Sequence, residues 1–179
     1  MLDVEQAEDH QNHVVTMPSN IASIAFTPLD EASARASLAW RYPPPYDFYN
    51  PPDDVTDEQI ANLLAPDSPQ FSVRDDGGQL IGVIGLGIES QVPGGDYTEP
   101  ATDIGIGLHP ELCGRGLGRL VVAEFIAFLE AAHGPATYRA SIAAFNQRSL
   151  KTFLALGFTE STRFHTGPTE WIIVTRTAG

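Results

Sequence analysis

The chain has 179 residues, 42% of them hydrophobic, which suits a single domain with a sizeable core. Its 23 acidic and 10 basic side chains give a formal net charge of −13, which argues against nonspecific nucleic-acid binding. The single cysteine, Cys113, excludes an internal disulfide.

Met1 to Ser19 is polar and unpatterned, and reads as a disordered tail before one domain over residues 20–179. His10 and His13 lie in that tail without a third ligand nearby. The tail has no signal-peptide pattern. The longest apolar run, Leu80 to Ile88, contains three glycines and is too short to cross a membrane. A cytoplasmic protein with no membrane partner is expected.

Ile21 to Thr27 reads as a strand, and Asp30 as the N-cap of a helix over Glu31 to Trp40. The next segment, Trp40 to Pro52, is unusual. Five aromatics fall within ten residues, and prolines bar a regular helix. A second helix is predicted over Asp53 to Leu64 with Thr56 at its cap. Phe71 to Arg74 and Gln79 to Ser90 read as a hairpin, with Glu89 ending the second strand. Gln91 to Pro100 is a loop, and Asp103 to Leu108 a central strand.

Leu117, Leu120, Val121, Phe125, Phe128, Leu129 and Ala132 recur at helical spacing, with Gly134 as the stop. Thr137 to Phe145 is the next strand, and Asn146 caps a short helix ended by Gly157. Phe158 to His165 and Glu170 to Thr175 form a last hairpin. The predicted order is β-α-α-β-β-β-α-β-α-β-β.

Chemistry concentrates where the central strand meets the helix after it. Gly114-Arg115-Gly116-Leu117-Gly118-Arg119 separates the two. A strand, a glycine-rich loop and a helix N-terminus together make an anion site, because backbone N–H groups lack helical partners there. A P-loop would need Lys-Ser or Lys-Thr after Gly118, and Arg119-Leu120 stands instead. A dinucleotide fingerprint would need a third glycine at position 119 and an acid about 20 residues on. The sequence has Arg119 and then His133-Gly134-Pro135.

A third pattern fits better. Leu108, Gly116 and Gly118 match the acetyl-CoA loop of the GNAT N-acetyltransferase superfamily, with Cys113 standing where that pattern has Gln or Arg. Downstream, Asn146, Ser149, Phe153, Gly157 and Phe158 are similar to the family's later motif at all five positions. The resemblance spans roughly Ile24 to Thr175. It implies an α/β (α+β) fold with a mixed, mostly antiparallel central sheet, splayed central strands and about four flanking helices.

The resemblance also implies an acetyl-CoA-dependent N-acyltransferase with acetyl-CoA as co-substrate. Its pyrophosphate would lie on the N–H groups of Gly114, Arg115, Gly116, Leu117, Gly118 and Arg119, beside Cys113. Its pantetheine arm would lie along Ile106 to Leu108, between strands 103–108 and 137–145. Leu108 would donate an N–H to the thioester oxygen. Asn146 would bind pantetheine or simply cap its helix. Asp103, with Glu89 as runner-up, would take the amine's proton.

Position 153 holds phenylalanine where the family often has the tyrosine that protonates the thiolate. Ser149, Tyr138 or water would replace it, the thiolate would leave unprotonated, or the protein would bind acyl-CoA without turnover. Phe153 itself would lie at the cofactor. Tyr46 and Tyr49 are candidate contacts for a small-molecule or peptide amine acceptor. The chain's acidity, −16 over residues 1–113, tilts that expectation toward a cationic acceptor. Family members often dimerise, so a homodimer is allowed. Cys113 has no basic partner apart from His109, which leaves it a loop residue. His109, His133 and His165 lack metal-ligand spacing, so no metal is expected.

Overall fold

The computed structural model describes residues 21, 23–67 and 69–178. The predicted tail, with His10 and His13, lies outside the described residues. Eleven regular elements follow in the predicted order: β1 (Ile24–Pro28), α1 (Glu31–Leu38), α2 (Asp57–Leu63), β2 (Gln70–Asp75), β3 (Leu80–Leu86), β4 (Thr102–Leu108), α3 (Leu117–His133), β5 (Thr137–Ala143), α4 (Gln147–Leu154), β6 (Thr159–Thr166) and β7 (Thr169–Thr177).

Local chemistry sets the helix starts. Asp30 accepts from the Ser33 N–H at 2.7 Å, and Thr56 and Gln59 form a reciprocal capping box. Asn146 accepts from the Ser149 N–H at 3.1 Å. α1 ends at Leu38, two residues before the predicted boundary. α2 starts at Asp57 rather than Asp53, because Thr56 caps there. β3 ends at Leu86 because Gly87 takes φ 81°, and Ile88–Ser90 become a 3-10 turn. Glu89 therefore sits on an exposed turn and not on a strand.

The seven strands form one sheet in the order β1-β2-β3-β4-β5-β7-β6. Every neighbouring pair is antiparallel except β4 with β5. That parallel pair meets only at Thr102↔Tyr138 and Asp103↔Arg139. Beyond Asp103 the two strands part, opening a gap in mid-sheet.

The core lies under α3, whose Val121, Val122, Phe125, Ile126 and Leu129 are buried. They pack in one cluster with Ile84, Ile104, Ile142 and Ile172 of the sheet. Burial at this scale stabilises by about 1.5–3 kcal/mol per large side chain. Phe128, read as part of the helix's apolar face, is half exposed but stacks on Phe125, with centroids 5.9 Å apart. On α4, Leu150 and Phe153 are buried, and Phe153 meets Phe158 edge-on at 5.0 Å.

A polar clamp stands where β4 and β5 diverge. Arg139 Nε donates to Asp103 Oδ1 at 2.6 Å, and its Nη2 donates to Oδ2 at 2.9 Å. Both side chains are about 5% exposed or less. Gln91 Nε2 donates to Asp103 Oδ2 at 2.8 Å. Arg139 also donates to the Glu99 carbonyl at 2.9 Å and lies over the Tyr97 ring. The 91–100 loop thus covers the last point of β4–β5 pairing. The ion pair holds the Arg139 pKa above its ordinary value, through its hydrogen bonds to Asp103.

Candidate active site

The gap between β4 and β5 opens into a cavity of about 530 Å³. Its polar character follows from strand register. Gly87 N donates to Asp103 O at 3.0 Å, and His109 N donates to Ile81 O at 2.9 Å. The odd residues of β4 therefore bond to β3, since these bonds alternate along an antiparallel pair. Ile106 and Leu108 turn their N–H and C=O groups the other way, toward the gap. Both residues line the cavity.

At the end of the gap, Gly114, Gly116 and Gly118 also line the cavity. Gly114 has φ 79° and Gly116 has φ 81°, values that glycine adopts without strain. A Cβ on either would meet no protein atom within 4 Å, so the loop faces open space. Gly116 caps α3 without any side-chain bond, and the helix has no acidic residue in its first turn. Arg119 stands in that turn instead, which is unfavourable for the helix dipole unless an anion is bound. Uncapped N–H groups, glycines facing open space and nearby cations fit a pyrophosphate.

The proline-aromatic segment crosses the mouth of the gap from one side to the other. Tyr46–Tyr49 form a 3-10 turn within it. On the β4 side, the Tyr42 hydroxyl donates to the Leu108 carbonyl at 2.8 Å. On the β5 side, Asn146 Nδ2 donates to the Tyr49 hydroxyl at 3.3 Å. Phe48 packs on Phe145 and Trp171, at 5.3 and 5.9 Å between centroids. The segment closes on itself through Asn50, whose side chain accepts from Tyr42 N at 2.7 Å and donates to Tyr42 O at 3.2 Å. Burial pushes up the pKa values of the Tyr42 and Tyr49 phenols, so both stay protonated near neutrality.

Several sequence-derived site residues come together here. Ile106, Leu108, Cys113, Gly114, Gly116, Gly118, Asn146, Tyr46 and Tyr49 all line the cavity. Asn146 caps α4 and also lines the cavity. Arg115, Leu117 and Arg119 belong to the loop and the first turn of α3 but not to the lining. Burial raises the Cys113 pKa, and its thiol points at the Leu108 and His109 carbonyls. That environment suits a thiol and not a nucleophilic thiolate.

Three residues fall elsewhere than expected. Phe153 is 1% exposed in the core and does not reach the lining, because the apolar face of α4 carries it inward. Asp103 is also absent from the lining, with both oxygens held by Arg139 and Gln91. Glu89 does not line the cavity either. Of the proposed replacement hydroxyls, Ser149 lines the cavity while Tyr138 is buried in the core.

Sequence reasoning missed Trp40, Tyr42, Arg148 and Thr152, all of which line the cavity. Tyr42 was visible inside the aromatic segment. Arg148 was visible as a cation in the first turn after a helix cap, an electrostatically unfavourable place. Among the described residues no carboxylate lines the cavity.

The Acetyltransferase (GNAT) domain family matches residues 25–159. No curated protein matches the chain. Among solved structures, spermidine N-acetyltransferase from Vibrio cholerae in complex with CoA and spermine is similar at TM-score 0.67 and 16% identity, covering 86% of this chain and 95% of that one. A GNAT-family protein from Bordetella pertussis aligns at TM-score 0.68 and 18% identity, over 86% and 95% of the two chains. A domain from Methanocaldococcus jannaschii aligns at TM-score 0.65 and 20% identity, over 87% and 99%. These likenesses concern the fold. With three quarters of its length matched by the family, the chain belongs to the GNAT acetyltransferases, enzymes that take their acyl group from acetyl-CoA.

Proposed function

We propose that this chain transfers an acetyl group from acetyl-CoA to a primary amine by direct attack of the neutral amine. The observation that carries this reading is the gap beyond Asp103↔Arg139, lined by the backbone of Ile106 and Leu108 and ending at the Gly114–Gly118 loop. When bound, acetyl-CoA supplies an activated thioester. The chain's part is to hold, orient and exclude. Gly114, Gly116 and Gly118 let the phosphates approach the N–H groups at the start of α3. Ile106 and Leu108 offer strand-like hydrogen bonds to an extended amide-bearing arm. One of their N–H groups is available where negative charge develops on the thioester oxygen.

The amine enters beside Tyr46 and Tyr49, under the aromatic segment. Its proton passes to water in the cavity, because Asp103 is engaged and Glu89 lies outside. Ser149 supplies a protonated hydroxyl at the cavity wall, in place of the family tyrosine at position 153. Mixing the protein with acetyl-CoA and a panel of amines is expected to release free thiol only when a suitable amine is present. Tight acetyl-CoA binding with no amine-dependent release from any panel member would favour a different reading, an acyl-CoA-binding protein without turnover. Phe153 is the residue that speaks for that alternative.

A further inference from the structure

Arg148 stands out among the cavity residues. It is the second residue of α4, where the helix dipole repels a cation, and the first turn of that helix holds no acid. Its guanidinium lies 3.5 Å from the centre of the Tyr46 ring. The stack covers one face of the cation and holds it against the aromatic segment. It forms no salt bridge or side-chain hydrogen bond with any described residue. It is close enough to Tyr42 and Cys113 to counter, in part, the effect of burial on both.

The surroundings narrow the ligand. Lys151 also lines the cavity, and among the described residues no aspartate or glutamate does. A polyamine would meet two cations there and no counter-charge. An amine that carries one anion would meet a planar fork of donors, which matches a carboxylate in bidentate geometry. The Tyr46 ring covers one face of that fork, and Leu38, Trp40, Tyr42 and Leu63 add apolar and aromatic wall to the same cavity, alongside the hydroxyls of Ser149 and Thr152. One fixed fork beside an aromatic wall suits a monoanionic carboxylate with an apolar side chain better than a phosphate dianion.

We infer that the acceptor is an amine bearing a carboxylate, an amino acid with an apolar or aromatic side chain, and that Arg148 on its Tyr46 platform reads that carboxylate. This rests on the acetyl-transfer reading above and deepens it by naming the acceptor class. It also reverses the tilt toward a cationic acceptor that overall acidity suggests.

The test uses the full chain with four probes: L-phenylalanine, L-phenylalaninamide, 2-phenylethylamine and spermidine. Thiol release gives kcat/KM for each, and titration of the CoA-loaded protein gives binding. L-Phenylalanine is expected to outperform both uncharged-end analogues by roughly 10–100-fold, the worth of a charge-assisted hydrogen-bond pair. Arg148→Ala should erase that preference while the affinity for CoA stays within about twofold, far less than the tenfold of a lost contact. Arg148→Lys should restore part of it, since a point charge replaces a fork. Arg148 is exposed on α4, so neither variant threatens folding.

Equal or better turnover of spermidine or 2-phenylethylamine would overturn the inference and leave the transferase reading standing. So would an Arg148→Ala variant that weakens CoA alone, which would assign the guanidinium to the cofactor. Arg148-dependent binding of L-phenylalanine without thiol release would do the reverse, supporting the carboxylate site and sinking acetyl transfer. Failure of L-phenylalanine either to bind or to react would also overturn the inference.

Discussion

Gly116→Ala is expected to raise the dissociation constant for acetyl-CoA by about 100-fold, about twice 1.4 kcal/mol being at stake in a lost polyphosphate contact. Gly116 opens α3 at φ 81°, a conformation that costs an L-residue roughly 1–2 kcal/mol. The added methyl would also project into the open space that the loop faces. Strain and obstruction are separable. Gly134, which closes α3 at φ 82°, would likewise place an added methyl with no atom within 4 Å, and it lies outside the cavity lining. Gly134 also has ψ 176°, in a region that essentially only glycine occupies. Gly134→Ala should therefore cost at least as much stability and leave acetyl-CoA affinity unchanged. Calorimetric titration of both variants makes the comparison. Equal affinities in the two would mean that the Gly114–Gly118 turn does not hold the phosphates.

The second large effect concerns the clamp where the strands part. Arg139→Met would strand the Asp103 carboxylate at 4% exposure, with Gln91 as its remaining side-chain partner. Breaking one half of a buried pair costs about 3–5 kcal/mol. For a chain of this length that corresponds to a fall in Tm of roughly 10 °C. Replacing both partners, Asp103→Leu with Arg139→Met, should recover much of the loss, because no buried charge is then left unpaired. Differential scanning calorimetry distinguishes the two outcomes. Asp103→Asn adds a kinetic check. At a temperature where it remains folded it should keep acetyl transfer, as a structural carboxylate would. A selective collapse of kcat in that variant would return Asp103 to the chemistry.

The order of elements was legible because each has a local cause. Asp30, Thr56 and Asn146 are polar caps ahead of helical patterns, and Gly134 and Gly157 stop helices at positive φ. The glycine loop and the Asn146 motif, read separately in the sequence, line one cavity. The role of Asp103 was not legible, since its partner Arg139 lies 36 residues away on a strand paired in parallel. No turn links the two strands directly to announce that register. Glu89 was misplaced for a smaller reason, the φ of Gly87, which ends β3 early. The aromatic segment was recognisable as a feature of the site. Its attachments, Tyr42 to Leu108 and Tyr49 to Asn146, depend on how far β4 and β5 diverge. Arg148 carried only a weak signal, its unfavourable place in a helical first turn, because a lone cation there usually belongs to the solvated surface.

Thermal unfolding with and without acetyl-CoA tests the central claim most directly. Ligand at about 100 times its dissociation constant stabilises by about 2.7 kcal/mol, which for a chain of this length raises Tm by roughly 5–10 °C. That rise is expected with acetyl-CoA and with CoA, and none with NAD or ATP at the same concentration. An unchanged Tm with both acetyl-CoA and CoA would contradict it, leaving the gap between β4 and β5 without the ligand that its backbone and glycines are arranged to hold.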